Sequence, residues 1–292
     1  MVLLATTAAI IAVMFWIVSG TLSKRIVRGL GTYIVPFIVV TLGLIPMVIA
    51  VLLVGQYQVT LYSTLIAIAA GIFLSLGFIF AYMALRTERL ATTSAFVEIQ
   101  PAALVILGIF VLGEQVTGIQ IAGILIVFVG SLMVITTEEF KINQALLPAL
   151  YANIAWSIYW VLMTFSVTSA GTFALPILIS RISGMLVVLA YLFTNKMAIT
   201  TLRGLGTKMR GSRIVTALVI LTIVGAFVDA IGDTVFGITV GSTVLAVGGA
   251  LMALAPMVVS FFGFVFYKER LRRMELVGLL VMVVGAFVLS VL

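Results

Sequence analysis

The sequence predicts an all-α membrane protein of ten transmembrane helices arranged as two five-helix inverted-topology repeats. Three observations predict it: an apolar, almost chargeless composition, a set of residues that returns at constant offset in the second half, and basic residues confined to alternate connections. Of the 292 residues 64% are hydrophobic and only 9% charged, and the mean hydropathy is +1.38, so the polar surface that a water-soluble fold must present is missing. Cysteine and histidine are both absent. That excludes disulfides, thiol nucleophiles, Cys/His metal sites, Ser-His-Asp triads and histidine proton relays. The net charge of +7 would suit nucleic acid in a soluble chain, but in a membrane protein Lys and Arg are first a topology signal, and no nucleic-acid partner is expected.

Apolar stretches of about 20 residues, the length of helix that crosses a hydrocarbon core, run over residues 2–22, 33–54, 63–85, 91–112, 118–136, 146–168, 173–194, 214–240, 242–267 and 274–291, here segments 1 to 10. Segment 1 has no basic residues before it and is too long for a signal-peptide core, so it is expected to be the first transmembrane helix. The connections are short. The longest, residues 195–213, carries Lys196, Arg203, Lys208, Arg210 and Arg213 among glycines and is expected to be a mobile basic loop.

The two halves repeat. Gly31-Thr32-Tyr33 with Pro36 returns as Gly171-Thr172-Phe173 with Pro176, a displacement of 140 that also carries Trp16 onto Trp156. Pro101, Glu114, Gln120, Gly123 and Gly130 return as Pro256, Glu269, Glu275, Gly278 and Gly285, each displaced by 155. The 15 extra residues fall at the basic connection between segments 7 and 8. Two domains follow, a first repeat over residues 1–141 and a second over 142–292.

Charge orients the copies. Connections 1-2, 3-4, 5-6, 7-8 and 9-10 hold 3, 2, 1, 5 and 4 basic residues, whereas the other four connections hold none. The positive-inside rule then places both termini outside a multi-pass cell-membrane protein. With five crossings per copy, equivalent connections fall on opposite faces, which makes the repeat an inverted one. Such repeats are the architecture from which alternating access to a central site arises, so transport of a small molecule is the expected function.

The residues also resemble a known family. A proline early in the fourth helix of each half, a helix end with Gly113-Glu114-Gln115 or Lys268-Glu269-Arg270, and a glycine-bearing final helix are similar to the EamA-type repeat of the drug/metabolite transporter superfamily. Phe15 and Trp16 in segment 1, the Pro36 and Pro176 helices, and Arg181 five residues after Pro176 fit the same pattern over essentially the whole chain. The first half has Thr41 where the second has Arg181. The resemblance implies ten helices, a central cavity lined largely by segments 1, 3, 4, 6, 8 and 9, and movement of small metabolites without ATP.

Four ionisable acidic or basic side chains lie well inside the predicted helices: Glu98, Arg181, Asp229 and Asp233. Each would cost about 2.5–3.5 kcal/mol at mid-bilayer, so each must face the interior and find a partner. Asp229 and Asp233, four apart, share a helix face. Arg181 and Asp229 fall at similar depth, and their pairing is either a structural ion pair or a substrate contact. Glu98 lies near Pro101, whose missing N–H frees an upstream carbonyl, and is a candidate for substrate or proton binding, with a structural hydrogen bond as the alternative. In segment 6, Asn153, Ser157 and Trp160 form one stripe beside Trp156 and Tyr159, which is either an interfacial aromatic belt or a cavity wall. Trp16 and Tyr82 are candidates for the same wall. Pro36, Pro101, Pro176 and Pro256 are expected to be hinges, and Glu114, Glu269 and Glu275 to be solvated or paired with nearby basic residues.

The expected substrate-binding set is therefore Glu98, Gln100, Asn153, Trp160, Arg181, Trp16 and Tyr82, with Glu98, Asp229 and Asp233 as proton-coupling groups. The expected protein is a secondary active transporter of a small polar or amphipathic metabolite, amino acid or amine-like, coupled to protons. The alternative is a passive cation channel or uncoupled facilitator. No catalytic constellation is present in the sequence, so no enzyme, metal or cofactor is expected. Its partners would be substrate, protons and the lipid bilayer, and its state a monomer or homodimer.

Overall fold

The computed structural model describes residues 2–87, 99–135, 146–242, 245–255, 258 and 273–290, and every regular element among them is helical. Segment 1 is α1 (Val2–Leu30), which continues past the apolar stretch through the basic residues near its end. Segment 2 is broken into α2 (Ile34–Leu42) and α3 (Leu44–Val54), which meet at Gly43. Pro46 accounts for the break: it lacks the N–H that would bond the Leu42 carbonyl, and its ring crowds that carbonyl. Then come α4 (Leu61–Thr87), α5 (Ile99–Phe110), α6 (Gly118–Ile135), α7 (Leu146–Ala170) and α8 (Ala174–Phe193), which are segments 3 to 7. Two short helices, α9 (Lys196–Arg203) and α10 (Leu205–Gly211), lead to α11 (Arg213–Ser242), α12 (Leu245–Met252) and α13 (Arg273–Ser290) in segments 8 to 10.

Five stretches, Ile34–Val54, Leu61–Leu85, Leu147–Ala170, Ala174–Phe193 and Arg213–Ser242, are long and apolar enough to cross a membrane. Leu4–Gly20, Gln100–Phe110, Gly118–Met133 and Leu276–Leu289 are shorter apolar helices. Leu53, Leu61, Phe110, Leu280 and Phe287 point outward and are mostly exposed, a surface that belongs in hydrocarbon. The chain is a membrane-spanning helical protein.

The packing exchanges partners between the halves. α1 packs along α11 as its counterpart α7 packs along α4; α4 packs along α8 as its counterpart α11 packs along α2 and α3; α5 meets α12, and α6 meets α13. The repeated residues sit at these contacts. The space a Cβ would need at Gly232 is taken by the Trp16 indole, and at Gly77, its equivalent at the 155 offset, by the Trp156 indole. Each half's tryptophan is thus seated on the other half's glycine. The four glycines of the final helices close α6 onto α13: a Cβ at Gly130 would lie 2.7 Å from the Gly278 carbonyl oxygen, and one at Gly285 would lie 3.1 Å from that of Gly123.

Three expectations are corrected. Pro36 and Pro176 are the third residues of α2 and α8, where a missing N–H leaves no helix bond unmade, so they start helices and do not hinge them. Pro256 lies outside the described residues. The basic connection is helical, not a loop: the Asn195 side chain caps α9 by accepting from the Met197 and Ala198 N–H groups at 3.0 and 3.1 Å, and Ala198 and Leu202 pack near Ile34 and Leu192. Glu114 is half-buried and acts as a helix cap, and no base pairs with it among the described residues. Its two carboxylate oxygens accept from the N–H groups of Leu245 (2.5 Å) and Ala246 (2.8 Å), the first described turn of α12, where the helix dipole favours a negative charge. Glu269 lies outside the described residues.

Candidate functional site: a cavity between the two repeats

Helices α1, α4, α5, α7 and α11, with the segment that contains α12, enclose a cavity of about 240 Å³. Its lining on α1 runs from Val13 to Ser23, on α4 from Leu74 to Leu85, and on α7 from Ala149 to Trp160. All three stretches come nearer to the helix ends at the basic connections than to the opposite ends. The opposite ends are closed. Ala5, Ala8, Ala9 and Ala12 of α1 are buried, and the Thr239 hydroxyl donates to the Ala5 carbonyl at 3.0 Å. Ser63 and Ser166 each donate to the other's carbonyl, at 2.9 and 2.8 Å. The Glu114 cap ties α12 to the end of segment 4 on that same side. Small side chains let these ends approach closely, and the Ser63, Ser166 and Thr239 hydroxyls are each satisfied by a carbonyl across the contact.

The seven residues Trp16, Tyr82, Gln100, Asn153, Trp160, Asp229 and Asp233 all line this one cavity. Glu98 lies outside the described residues. Trp160 and Tyr159 are almost fully buried, so the segment 6 aromatics form a cavity wall and not an interfacial belt. The Ser157 hydroxyl turns back to the Asn153 carbonyl at 2.7 Å, while the Asn153 amide donates to the Ala149 carbonyl at 2.8 Å. Trp16 and Trp160 stand 5.9 Å apart, and both rings rest on Phe236 at 5.2 and 4.6 Å. On the far wall Phe78 meets Trp156 edge-on at 5.8 Å. The chain's three tryptophans therefore all face the same space.

Arg181 does not line the cavity; it stands behind the two aspartates with no exposed surface. Its Nη2 donates to Asp229 Oδ2 and its Nη1 to Asp233 Oδ2, both at 2.9 Å. Nη2 and Nε also donate to the Val39 and Val40 carbonyls at 3.2 and 3.3 Å, and the guanidinium carbon lies 5.3 Å from the centre of the Phe78 ring. The break in segment 2 makes this possible, because the guanidinium occupies the space that a side chain at Gly43 would fill. One arginine thus binds α8 to α2, α4 and α11. Asp233 has both oxygens engaged, since Trp16 Nε1 donates to its Oδ1 at 3.0 Å. Asp229 Oδ1 accepts no hydrogen bond from the described residues. In the first repeat the positions equivalent to Arg181, Asp229 and Asp233 are Thr41, Leu74 and Phe78, so the charged cluster exists in one half only.

Residues the sequence did not single out also matter. Phe78 and Ser23 are on the wall, and the Ser23 and Tyr82 hydroxyls meet at 3.5 Å. Gly77 and Gly232 were legible as a further pair at the 155 offset, beside Phe78 and Asp233.

Comparison with known proteins agrees with this architecture. A crystal structure at 16% sequence identity superposes with a TM-score of 0.72 over 98% of this chain and 97% of its own, which shows a shared fold. An uncharacterized transporter of Clostridium kluyveri is 27% identical over 129 residues, 43% of this chain and 42% of that protein, so the match spans less than half of the relative's length. The model of the EamA-like transporter family matches twice, over residues 3–136 and 143–291. Both repeats are covered, and the chain belongs to the EamA-like transporter family.

Proposed function

We propose that this protein is a secondary active transporter that carries a small amphipathic metabolite, amine or amino acid-like, by alternating access through the cavity between its repeats. The observation that carries this reading is the cavity itself, which reaches Asp229 and Asp233 from the basic ends while Ser63, Ser166, Thr239 and Glu114 close the opposite ends. With the basic ends in the cytoplasm and both termini outside, this is the inward-facing arrangement of ten crossings. In an inverted repeat the outward-facing arrangement follows when the two copies exchange conformations. Glu98, Asp229 and Asp233 are the groups that would exchange a proton for substrate.

The test is transport in proteoliposomes under an imposed proton gradient, offering amines, amino acids, sugars and phosphates and identifying by mass spectrometry what crosses. Gradient-driven uptake with saturable counterflow is expected for an amine or amino acid, and a Glu98→Gln variant should alter its rate or pH profile. A passive cation pathway gives flux without counterflow. That reading is disfavoured because Asp229 and Asp233 are held by Arg181 and do not form a ring of free carboxylates.

The chain has no cysteine, so single-cysteine variants report access directly. Ala81→Cys, on the cavity wall, is expected to react with an impermeant maleimide from the face of the basic ends, and fully buried Ala9→Cys to be inert until substrate is added to cycling protein. If Ala9→Cys stays inert during measured turnover, the helix ends around it do not open, and alternating access by this route is wrong.

A further inference from the structure

We infer that the cavity selects an organic monocation with an aromatic or comparably broad apolar body and no carboxylate, its ammonium pairing with Asp229. This rests on the reading of the cavity as the transport site and narrows its substrate. The argument begins with charge. Asp229 and Asp233 are the only acidic or basic side chains among the described residues of the wall, and Arg181, the cation that pairs with both, is shielded from the cavity. With the three groups ionised the cluster carries one net negative charge, facing a space of low dielectric. A monocation neutralises it. A zwitterion brings a carboxylate that meets no exposed cation among the described residues of the wall, and burying an unpaired charge is costly.

The hydrogen bonds then choose between the two aspartates. Three of the four carboxylate oxygens already accept from Arg181 or Trp16, and only Asp229 Oδ1 has no donor among the described residues. One free oxygen suits an N–H donor. It does not suit an inorganic divalent ion, which requires about six oxygen ligands. Trp16, Trp156 and Trp160 line the same space, where indole faces attract a cation and pack an apolar body. The cavity volume of about 240 Å³ exceeds the roughly 150 Å³ that holds a benzene molecule, which leaves room for one ring and a short aminoalkyl chain.

Because all three tryptophans line the cavity, intrinsic fluorescence of the purified full chain reports binding there. Phenethylamine, phenylalanine and 2-phenylethanol share one body and differ in bearing an ammonium, an ammonium with a carboxylate, or a hydroxyl. Phenethylamine at neutral pH is expected to bind at least about tenfold more tightly than either of the others. Asp229→Asn is expected to remove that preference and retain 2-phenylethanol binding, which also shows the variant to be folded, and Asp229→Glu to keep the preference. Equal affinities, tighter binding of phenylalanine, or a preference that survives Asp229→Asn overturns the inference and leaves the cavity standing as a site. No response to any of the three overturns the cavity as the binding site and the inference with it.

Discussion

Arg181→Leu should abolish transport and destabilise the protein by about 3–5 kcal/mol, the cost of leaving buried charges without their partner. Asp229 and Asp233 would lose the guanidinium that lies 2.9 Å from each, and the Val39 and Val40 carbonyls beside the break in segment 2 would lose a donor. Arg181→Lys should fall between, because an ammonium is a single point charge and cannot span two carboxylates and two carbonyls as the planar fork does. The informative variant is the triple substitution Arg181→Leu, Asp229→Asn, Asp233→Asn. It removes all three charges together and is expected to recover most of the stability, since an apolar or neutral replacement of a whole buried cluster is often tolerated, while transport stays lost. Thermal unfolding in detergent, followed by tryptophan fluorescence, measures the first quantity, and proteoliposome uptake the second. If Arg181→Leu unfolds at the wild-type temperature and transports at the wild-type rate, the cluster has neither role.

Gly71→Ala should lower stability by about 1–3 kcal/mol, as overpacking of a tight contact does, and should reduce transport with it. A methyl at Gly71 on α4 would meet the backbone carbonyl of Ser180 on α8 and the Ser183 hydroxyl, and a carbonyl in a helix cannot swing aside as a flexible side chain can. Gly184, one turn further along α8, is also in close contact, since a Cβ there would lie 2.9 Å from the Gly71 carbonyl oxygen. The two glycines set how near α4 and α8 come. Ser180 precedes Arg181, so forcing α8 outward also moves the guanidinium off Asp229 and Asp233. Gly118→Ala, where nothing lies within 4 Å of the added carbon, is the control and should leave unfolding temperature and uptake near wild type. If the two alanine variants behave alike, this crossing is not tight in the membrane.

Much of the site was legible because lipid penalises ionisable groups one residue at a time. Asp229, Asp233 and Arg181 stand out in apolar segments without any knowledge of their neighbours, and all three meet in one cluster. The i, i+4, i+7 stripe of segment 6 likewise identified Asn153 and Trp160 on one helix face. What was misread involved partners from elsewhere in the chain. Glu114 is at a helix end by sequence, and nothing local says that it caps a helix about 130 residues later. Pro36 and Pro176 are a local matter: segments that begin at residues 33 and 173 already put them in the first helical turn, where a missing N–H breaks no bond and makes no hinge.

By itself the sequence determined that the chain is a membrane-spanning helical protein built from two copies of one unit, because composition and constant-offset repeats are properties of the chain that no packing alters. It also supplied the aromatic and acidic residues of the cavity. Only the tertiary structure decided that Arg181 is hidden behind the aspartates it holds, that one oxygen of Asp229 has no donor among the described residues, that Trp16 rests on Gly232 as Trp156 rests on Gly77, and that the cavity lies toward the basic ends. The reason is physical. Helical periodicity assigns a residue to a face, but which face meets which neighbour depends on how each helix is rotated and how closely it packs, and those are set by contacts between residues far apart in the chain.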